Sequence, residues 1–279
     1  MTTDLRYEPH LGLALGGGGA LGAAHVGVLQ VLAERGITPS LVVGTSAGSL
    51  IGGAYASGMD PYTIEAMVLR AEWGHFGSLT FRPGLGILDT AGLRATIEAI
   101  SGGDPRIEDL PVRYAAVATD LTTRRVVLLD HGSLADAMRA SISVPGLFRP
   151  LRLDGHLLAD GGLLENLPLE ATFELGARHV IGVRLAPEWE APGFETTLKV
   201  HALEIRADVT LISPQLGGRS QWVREDMPGL IALGRAAAEQ ALDAYPVVAP
   251  RPETLPEVEV PTPARLPEPL RDLLEPRSE

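Results

Sequence analysis

Residues 11–48 read LGLALGGGGALGAAHVGVLQVLAERGITPSLVVGTSAG, and this stretch decides the fold. The apolar run over 11–15 predicts a short buried strand, and it ends at four consecutive glycines. Apolar residues then recur at helical spacing over 21–35, and Gly36 is a typical helix stop. A second apolar run over 41–43 turns through glycine into another helical segment. Two successive strand–turn–helix units predict a parallel sheet with helices on its faces.

The rest of the chain continues this alternation of strands and helices. Strands are predicted at 112–118, 125–129, 151–153, 156–158 and 179–185. Helices are predicted at 61–72, 90–101, 134–142, 167–175, 196–209 and 228–243. We therefore expect one α/β domain over 11–245, an N-terminal extension over 1–10, and a Pro-rich, acidic, disordered tail over 246–279.

Composition excludes several classes of function. The net charge of −12 is unfavourable for binding nucleic acid, whose phosphates need basic side chains. The absence of Cys excludes disulfides, thiolate metal sites and a Cys nucleophile. No membrane span or export signal is visible, so the prediction is a cytoplasmic protein, with peripheral contact at the inner face of the membrane also compatible. The aromatic stretch over 73–81 fits either a lipid entrance or a cap on the core.

The sequence Gly44-Thr45-Ser46-Ala47-Gly48 follows an apolar strand and precedes a helix. It fits the G-x-S-x-G pattern in the context that a nucleophile elbow requires. Glycines allow the sharp turn, and the helix N-terminus favours negative charge on the Ser46 oxygen. Ser46 is therefore a candidate nucleophile, and a helix-capping Ser in a Gly-rich turn is the structural alternative.

The Gly-rich loop over 16–22 also joins a strand to a helix, and it allows several interpretations. Its spacing matches a dinucleotide-binding loop, but the acidic residue expected at the end of the second strand is missing. A P-loop is excluded because Ala23 stands where that motif has Lys. An oxyanion hole formed by backbone N–H groups fits best beside a nucleophilic Ser, and a tight turn for close packing remains the structural alternative.

The general base has two kinds of candidate. The chain has seven His, at positions 10, 25, 75, 131, 156, 179 and 201, and none follows a late strand as an ordinary α/β-hydrolase requires. Asp160 ends an apolar strand and precedes Gly161 and Gly162, so a buried carboxylate there could accept the proton of Ser46. A turn-stabilising role for Asp160 explains the local sequence equally well.

Together, these elements resemble the patatin-like phospholipase family over roughly residues 11–244. The resemblance lies in the Gly-rich loop, the elbow around Ser46 and Asp160-Gly161-Gly162, in that order. Softer matches are Ala140-Ser-Ile-Ser-Val-Pro-Gly146 and Asn166-Leu-Pro168. The resemblance implies a three-layer α/β/α fold with a mainly parallel central sheet, and a Ser–Asp dyad that acts without metal or another cofactor.

The resemblance also implies the reaction, which is hydrolysis of acyl esters in lipids through an acyl-enzyme. Ser46 would be the nucleophile and Asp160 the base. Gly17, Gly18 and Gly19 would form the oxyanion hole, with the motifs supported by Gly16, Gly22, Gly44, Gly48, Gly161 and Gly162.

Two other functions stay open on the sequence alone. The family's loop usually has a basic residue at the position of Leu21, and its loss favours a non-lipid carboxylesterase or thioesterase with the same dyad. A non-enzymatic acyl-lipid binder or regulator is the other alternative. Protein partners and the physiological substrate are not indicated.

Overall fold

A mixed sheet of eight strands organises the described part of the chain, which comprises residues 10–70, 103–185, 202–222 and 226–244 of a computed structural model. The strands are β1 (Leu11–Leu15), β2 (Leu41–Thr45), β3 (Arg113–Asp120), β4 (Arg125–Leu129), β5 (Leu151–Leu153), β6 (His156–Asp160), β7 (His179–Val183) and β8 (Val209–Ile212). The helices are α1 (Ala23–Glu34), α2 (Ala47–Ala56), α3 (Pro61–Arg70), α4 (Leu134–Ser141), α5 (Leu169–Glu174) and α6 (Met227–Ala241).

Most of the elements predicted from the sequence are confirmed within a residue or two at each end. The helix predicted over 196–209 is wrong at its end, because Val209–Ile212 forms β8. Three of these four residues are β-branched, and parallel pairing with β7 favours the extended conformation. The predictions for 1–9, 73–81, 90–101 and 246–279 lie outside the described residues.

Pairing in the sheet follows the order β5-β6-β3-β2-β1-β7-β8, with β4 paired to β3 beside this path. The four pairings among β3, β2, β1, β7 and β8 are parallel, and those of β4, β5 and β6 are antiparallel. The sheet is therefore mainly parallel, as predicted, with an antiparallel end. Parallel strands place their carboxyl ends at one side of the sheet, where Gly-rich turns follow β1 and β2.

Strand β3 is paired with three other strands. It pairs with β2 over 113–117, with β4 over 116–120 and with β6 over 118–120. A strand has two edges, and β4 overlaps both of the other partners, so β2 and β6 share the opposite edge. They approach each other from opposite directions along that edge, where Thr45 pairs with Val117 and Asp160 pairs with Ala118. The end of β2 and the end of β6 therefore meet.

The core has one layer of packing on each face of the sheet. Alternate residues of each strand enter opposite clusters: Leu13 and Leu15 pack on one side and Ala14 on the other. Residues of α1, α2, α3, α4 and α6 fill the first cluster, and residues of α5 contribute to the second. This arrangement confirms a three-layer α/β/α architecture.

Helices α1 and α6 pack with their backbones in close approach. A Cβ atom on Gly27 would meet the carbonyl oxygen of Ile231, and one on Gly234 would meet that of Ala24. The Arg35 guanidinium also binds the carbonyl oxygens of Leu242 and Glu239 at the end of α6. The helix after the Gly-rich loop is thus held along its length by the helix that ends the described chain.

None of the helices in the described part combines the length and the apolar character that crossing a bilayer requires.

Gly48 provides a test of the elbow's packing. A Cβ atom there would meet the carbonyl oxygen of Leu15 at the end of β1. We expect Gly48→Ala to destabilise the fold by roughly 2–3 kcal/mol because backbone must move to admit the methyl group. Thermal unfolding should then shift down by about 5–10 °C.

The matched control is Gly176→Ala in an exposed turn. Gly176 has a φ of 96°, and a Cβ atom added to it would meet no atom within 4 Å, so its substitution should cost about 1 kcal/mol of backbone strain. Equal shifts in the two variants would contradict the close approach at Gly48.

Candidate active site

Ser46 occupies a strained turn between β2 and α2. Its φ of 51° and ψ of −120° lie in a region that side chains other than glycine rarely adopt. Its N–H group donates to Ser141 Oγ at 2.8 Å, and its carbonyl oxygen accepts from the Ser49 N–H group at 2.8 Å. Ser46 is 9% exposed. The turn therefore has the geometry of a nucleophile elbow, with the side chain at the N-terminus of α2.

Close packing of the backbone around Ser46 requires glycine at the neighbouring positions. Gly48 lies against the end of β1, and a Cβ atom on Gly44 would lie 2.5 Å from Gly48 O. Gly22, at the end of the Gly-rich loop, lies against Ala47, and a Cβ atom on Gly22 would lie 2.8 Å from Ala47 Cβ. The two strand–helix turns are thus packed directly on one another.

Asp160 ends β6 and is fully buried. Its N–H group donates to the Ser143 carbonyl oxygen at 2.9 Å, and its Oδ1 accepts from the Gly162 N–H group at 2.7 Å. Its Oδ2 has no hydrogen-bond partner among the described residues. Gly161 lies against Val117 of β3, where a Cβ atom would meet the Val117 carbonyl oxygen. The backbone fixes one carboxylate oxygen and leaves the other available.

Burial raises the pKa of Asp160 from 3.8 to about 7. The Ser46 side chain and the Gly162 N–H group act in the opposite direction and lower the pKa, because both stabilise the ionised carboxylate. Ser46 therefore lies close enough to Asp160 to affect its ionisation. A carboxyl group with this pKa can both accept and donate a proton near neutral pH.

The Gly-rich loop lies directly beside Ser46. A Cβ atom on Gly17 would lie 3.3 Å from Ser46 Cβ and would also meet Asn166 Oδ1. The amides of Gly16 and Gly17 are already occupied, since they donate to the carbonyl oxygens of Val183 and Asn166 at 3.0 Å each. The Gly17 N–H group, which was predicted to contribute to an oxyanion hole, thus has a main-chain partner in the structure.

Gly18 and Gly19 differ from Gly17 in this respect. No hydrogen bond of their N–H groups to another described residue is present, whereas the next amide, Ala20 N–H, donates to Gln221 O at 2.9 Å. Gly19 has a φ of 54° and lies against the Gln221 carbonyl oxygen. Within the described part of the chain, two free amides thus follow Gly17 in the loop next to Ser46.

Three site residues were not assigned a role from the sequence. Ser141 accepts the Ser46 N–H group, and Asn166 accepts the Gly17 N–H group. Both residues lie in the softer motif matches at 140–146 and 166–168, and these matches are the sequence signal by which they could have been found. His25 is fully buried, and its Nε2 is 2.8 Å from the Gly16 carbonyl oxygen. Burial lowers the pKa of His25 to about 4, so the neutral ring holds the start of the loop.

Three other described histidines contact residues different from Ser46 and Asp160. His131 contacts Asp130, His156 contacts Asp120, and His179 contacts Thr210. Within the described ranges, no group of three or more His, Asp or Glu side chains could hold a metal ion.

Leu21 has an apolar role in the structure. Its side chain is 5% exposed and belongs to the main core cluster. A buried apolar side chain therefore stands at the position where the family that this sequence resembles usually has a basic residue.

Replacing Asp160 by Asn should reveal the cost of burying a charge at the site. Between pH 3.8 and about 7 the folded protein keeps a proton that the unfolded chain loses, so stability falls as pH rises through this window. Asn carries no charge at any pH. We expect Asp160→Asn to raise the free energy of unfolding by up to about 4 kcal/mol at pH 8 and by much less at pH 4.

Urea unfolding at the two pH values measures this difference. Asp154→Asn, in the exposed hairpin turn between β5 and β6, is the control and should change stability little at either pH. A gain for Asp160→Asn that is the same at pH 4 and pH 8 would contradict the raised pKa.

Comparisons with known proteins indicate the family to which this chain belongs. A family model described as Patatin-like phospholipase matches residues 13–173, which is more than half of the chain. An uncharacterised NTE family protein of Mycobacterium tuberculosis is 42% identical over 188 residues, covering 64% of this chain and 49% of that protein. Neuropathy target esterase sws of Drosophila melanogaster is 37% identical over 183 residues, covering 62% and 13%. The chain spans about half the length of the mycobacterial relative.

A solved structure shares the fold at low sequence identity. VipD from Legionella pneumophila aligns with a TM-score of 0.56 and 18% identity, covering 85% of this chain and 67% of that one. The fold, the order of the motifs and the family match agree, and the chain belongs to the patatin-like phospholipase family.

Proposed function

We propose that this chain is a serine lipid acyl hydrolase in which Ser46 is the nucleophile and Asp160 is the general base. One observation carries the proposal: a Ser in a strained elbow lies beside a buried carboxyl group whose pKa is about 7 and whose Oδ2 has no other partner among the described residues. The combination suits proton transfer from a hydroxyl group at neutral pH.

The first half of the reaction transfers the acyl group to the protein. Asp160 takes the proton of Ser46 Oγ as this oxygen attacks the ester carbonyl carbon. The tetrahedral oxyanion is stabilised by the free N–H groups of Gly18 and Gly19 and by the N-terminus of α2. Asp160 then gives the proton to the leaving alcohol, and an acyl ester on Ser46 remains.

The second half releases the acyl group. Asp160 removes a proton from water, the resulting hydroxyl attacks the acyl-enzyme, and the same amides stabilise the second oxyanion. The carboxylic acid leaves as the proton returns to Ser46 Oγ. Each step uses Asp160 alternately as base and acid, which its pKa near neutrality permits.

A lipid ester is the substrate class that the comparisons support. The matching family is described as Patatin-like phospholipase, and one relative is named as an esterase. Contact with a membrane surface and a cytoplasmic location remain predictions.

Leu21 favours a second candidate, a non-lipid carboxylesterase or thioesterase. Its burial in the core leaves no cation at a position where the family usually has one. Turnover of short esters or acyl thioesters, but not of lysophospholipids or monoacylglycerols, would favour this second candidate.

Substitution of the nucleophile is the direct test. Ser46→Ala should lower turnover of p-nitrophenyl esters by at least about 10³-fold, because the substitution removes the oxygen on which the acyl-enzyme forms. The variant should also lose labelling by a fluorophosphonate probe.

Ser57→Ala is the control for this substitution, since Ser57 caps the far end of the same helix by donating to Gly53 O. It should keep both properties. If Ser46→Ala kept its turnover, the assignment of Ser46 as the nucleophile would be refuted. If the probe failed to label the wild-type protein, a non-enzymatic role would be supported.

The pH dependence of the reaction follows from the raised pKa of Asp160. The base must be ionised to accept the proton, so kcat/KM should rise between pH 6 and pH 8 with a midpoint near 7. A profile with its midpoint near pH 4 would mean that the carboxylate is not shielded by burial. Asp160→Asn should remove this transition together with most of the activity.

A further inference from the structure

We propose that Ser141, at the end of α4, is a positioning residue that holds the backbone of Ser46 in its reactive conformation. The inference rests on the proposed function, since it concerns the nucleophile of that reaction. It assigns a supporting role to the short segment 141–143, which hydrogen-bonds to the backbones of the two proposed catalytic residues.

The N–H group of Ser46 needs a hydrogen-bond acceptor outside the sheet. Strand β2 pairs with β3 up to Thr45, so Ser46 lies beyond the ladder. Its N–H group is buried and donates to Ser141 Oγ at 2.8 Å, and Ser141 itself is fully buried. A buried N–H group that loses its partner is destabilised by an amount comparable to the strain stored in an unusual backbone conformation. The Ser141 hydroxyl thus favours the strained turn over relaxed alternatives.

The same segment also holds the backbone of Asp160. The Ser143 carbonyl oxygen accepts the Asp160 N–H group at 2.9 Å. Ser141 and Ser143 are two residues apart in a turn that is itself fixed, because the N–H groups of Ile142 and Ser143 donate to Met138 O and Ala140 O. The segment therefore sets the distance between the two backbones.

The sheet itself has no pairing between the end of β2 and the end of β6. Strands β2 and β6 end opposite Val117 and Ala118 on one edge of β3, so they are neighbours without being paired to each other. Ladder hydrogen bonds fix each strand to β3 but do not join the two ends. The hydrogen bonds from segment 141–143 supply that link.

The two serines of the segment form a matched pair for the test. Ser143 Oγ donates to Arg139 O at 2.7 Å, whereas the contact with Asp160 uses its backbone carbonyl. Ser143→Ala therefore keeps the link to Asp160, and Ser141→Ala removes the link to Ser46. Both side chains are buried, so the two substitutions remove the same volume from similar surroundings.

We expect Ser141→Ala to lower kcat for p-nitrophenyl esters about 10- to 100-fold with KM changed less than about threefold. Ser143→Ala should keep kcat within about threefold of the wild type. Hydrogen exchange of the Ser46 amide, read by mass spectrometry on peptides spanning 41–50, should accelerate in Ser141→Ala and not in Ser143→Ala. This second readout does not depend on catalysis.

Ser141→Thr and Ser141→Val provide a second pair if the Ala variant does not fold. The two side chains have nearly the same shape, and Thr keeps the acceptor oxygen that Val lacks. Faster fluorophosphonate labelling of Ser46 in the Thr variant than in the Val variant supports the proposal.

The failure of this inference is distinguishable from failure of the proposed function. An active wild type with equal kcat in Ser141→Ala and Ser143→Ala, or equal labelling in the Thr and Val variants, overturns the positioning role alone. A wild type without turnover or labelling overturns the proposed function, and in that case unchanged amide exchange in Ser141→Ala overturns the structural part as well.

Discussion

Two strands of opposite direction share one edge of β3, and the candidate site depends on that arrangement. Strand β2 occupies the edge up to Val117, and β6 occupies it from Ala118 onward. Successive positions along a strand are about 3.3 Å apart, so pairing with β3 brings the end of β2 close to the end of β6, and the hydrogen bonds of segment 141–143 join the two ends. Ser46 and Asp160 are far apart in the chain, yet neither depends on a flexible loop for its position. Main-chain hydrogen bonds to β3 position the two strand ends, and the Ser141 side chain completes the arrangement.

Close backbone packing is the second constraint on the site. Gly44, Gly48 and Gly161 each lie where a Cβ atom would meet main-chain atoms. These contacts leave little room for the turns to relax, and they hold the positive φ of Ser46 in place. The buried carboxyl group of Asp160 has the opposite effect on stability, since its ionised form is unfavourable in an apolar interior. A rigid framework around an energetically unfavourable group is the expected arrangement for an active site.

Local patterns made much of this predictable, and long-range contacts account for the rest. In the G-x-S-x-G turn and in Asp160-Gly161-Gly162, the glycines themselves indicate a tight backbone turn. Ser46 and Asp160 could therefore be named as candidate site residues from the sequence alone. The occupied amide of Gly17 could not be foreseen, because its acceptor is Asn166, in a distant part of the chain. Ser141 was missed for the same reason, whereas His25 was missed although its partner, Gly16, is only nine residues away. A Ser at a helix end and a His inside an apolar helix look structural until their partners are known. Strand β8 was not predicted, and the helix predicted over 196–209 overlaps its first residue, because the extended conformation of β8 depends on pairing with β7.

Strand β7 also shows that the segment recognised by the family model is smaller than the folding unit. The family match ends at residue 173, whereas β7 comprises His179–Val183 and lies between β1 and β8 in the sheet. Without it, β1 would present a full row of unpaired main-chain groups, which is a template for association between chains. The Gly16 N–H group would also lose its acceptor, Val183 O. A chain cut at residue 173 would thus expose β1, an interior strand of the sheet, as an unpaired edge beside the Gly-rich loop, where another chain could pair with it.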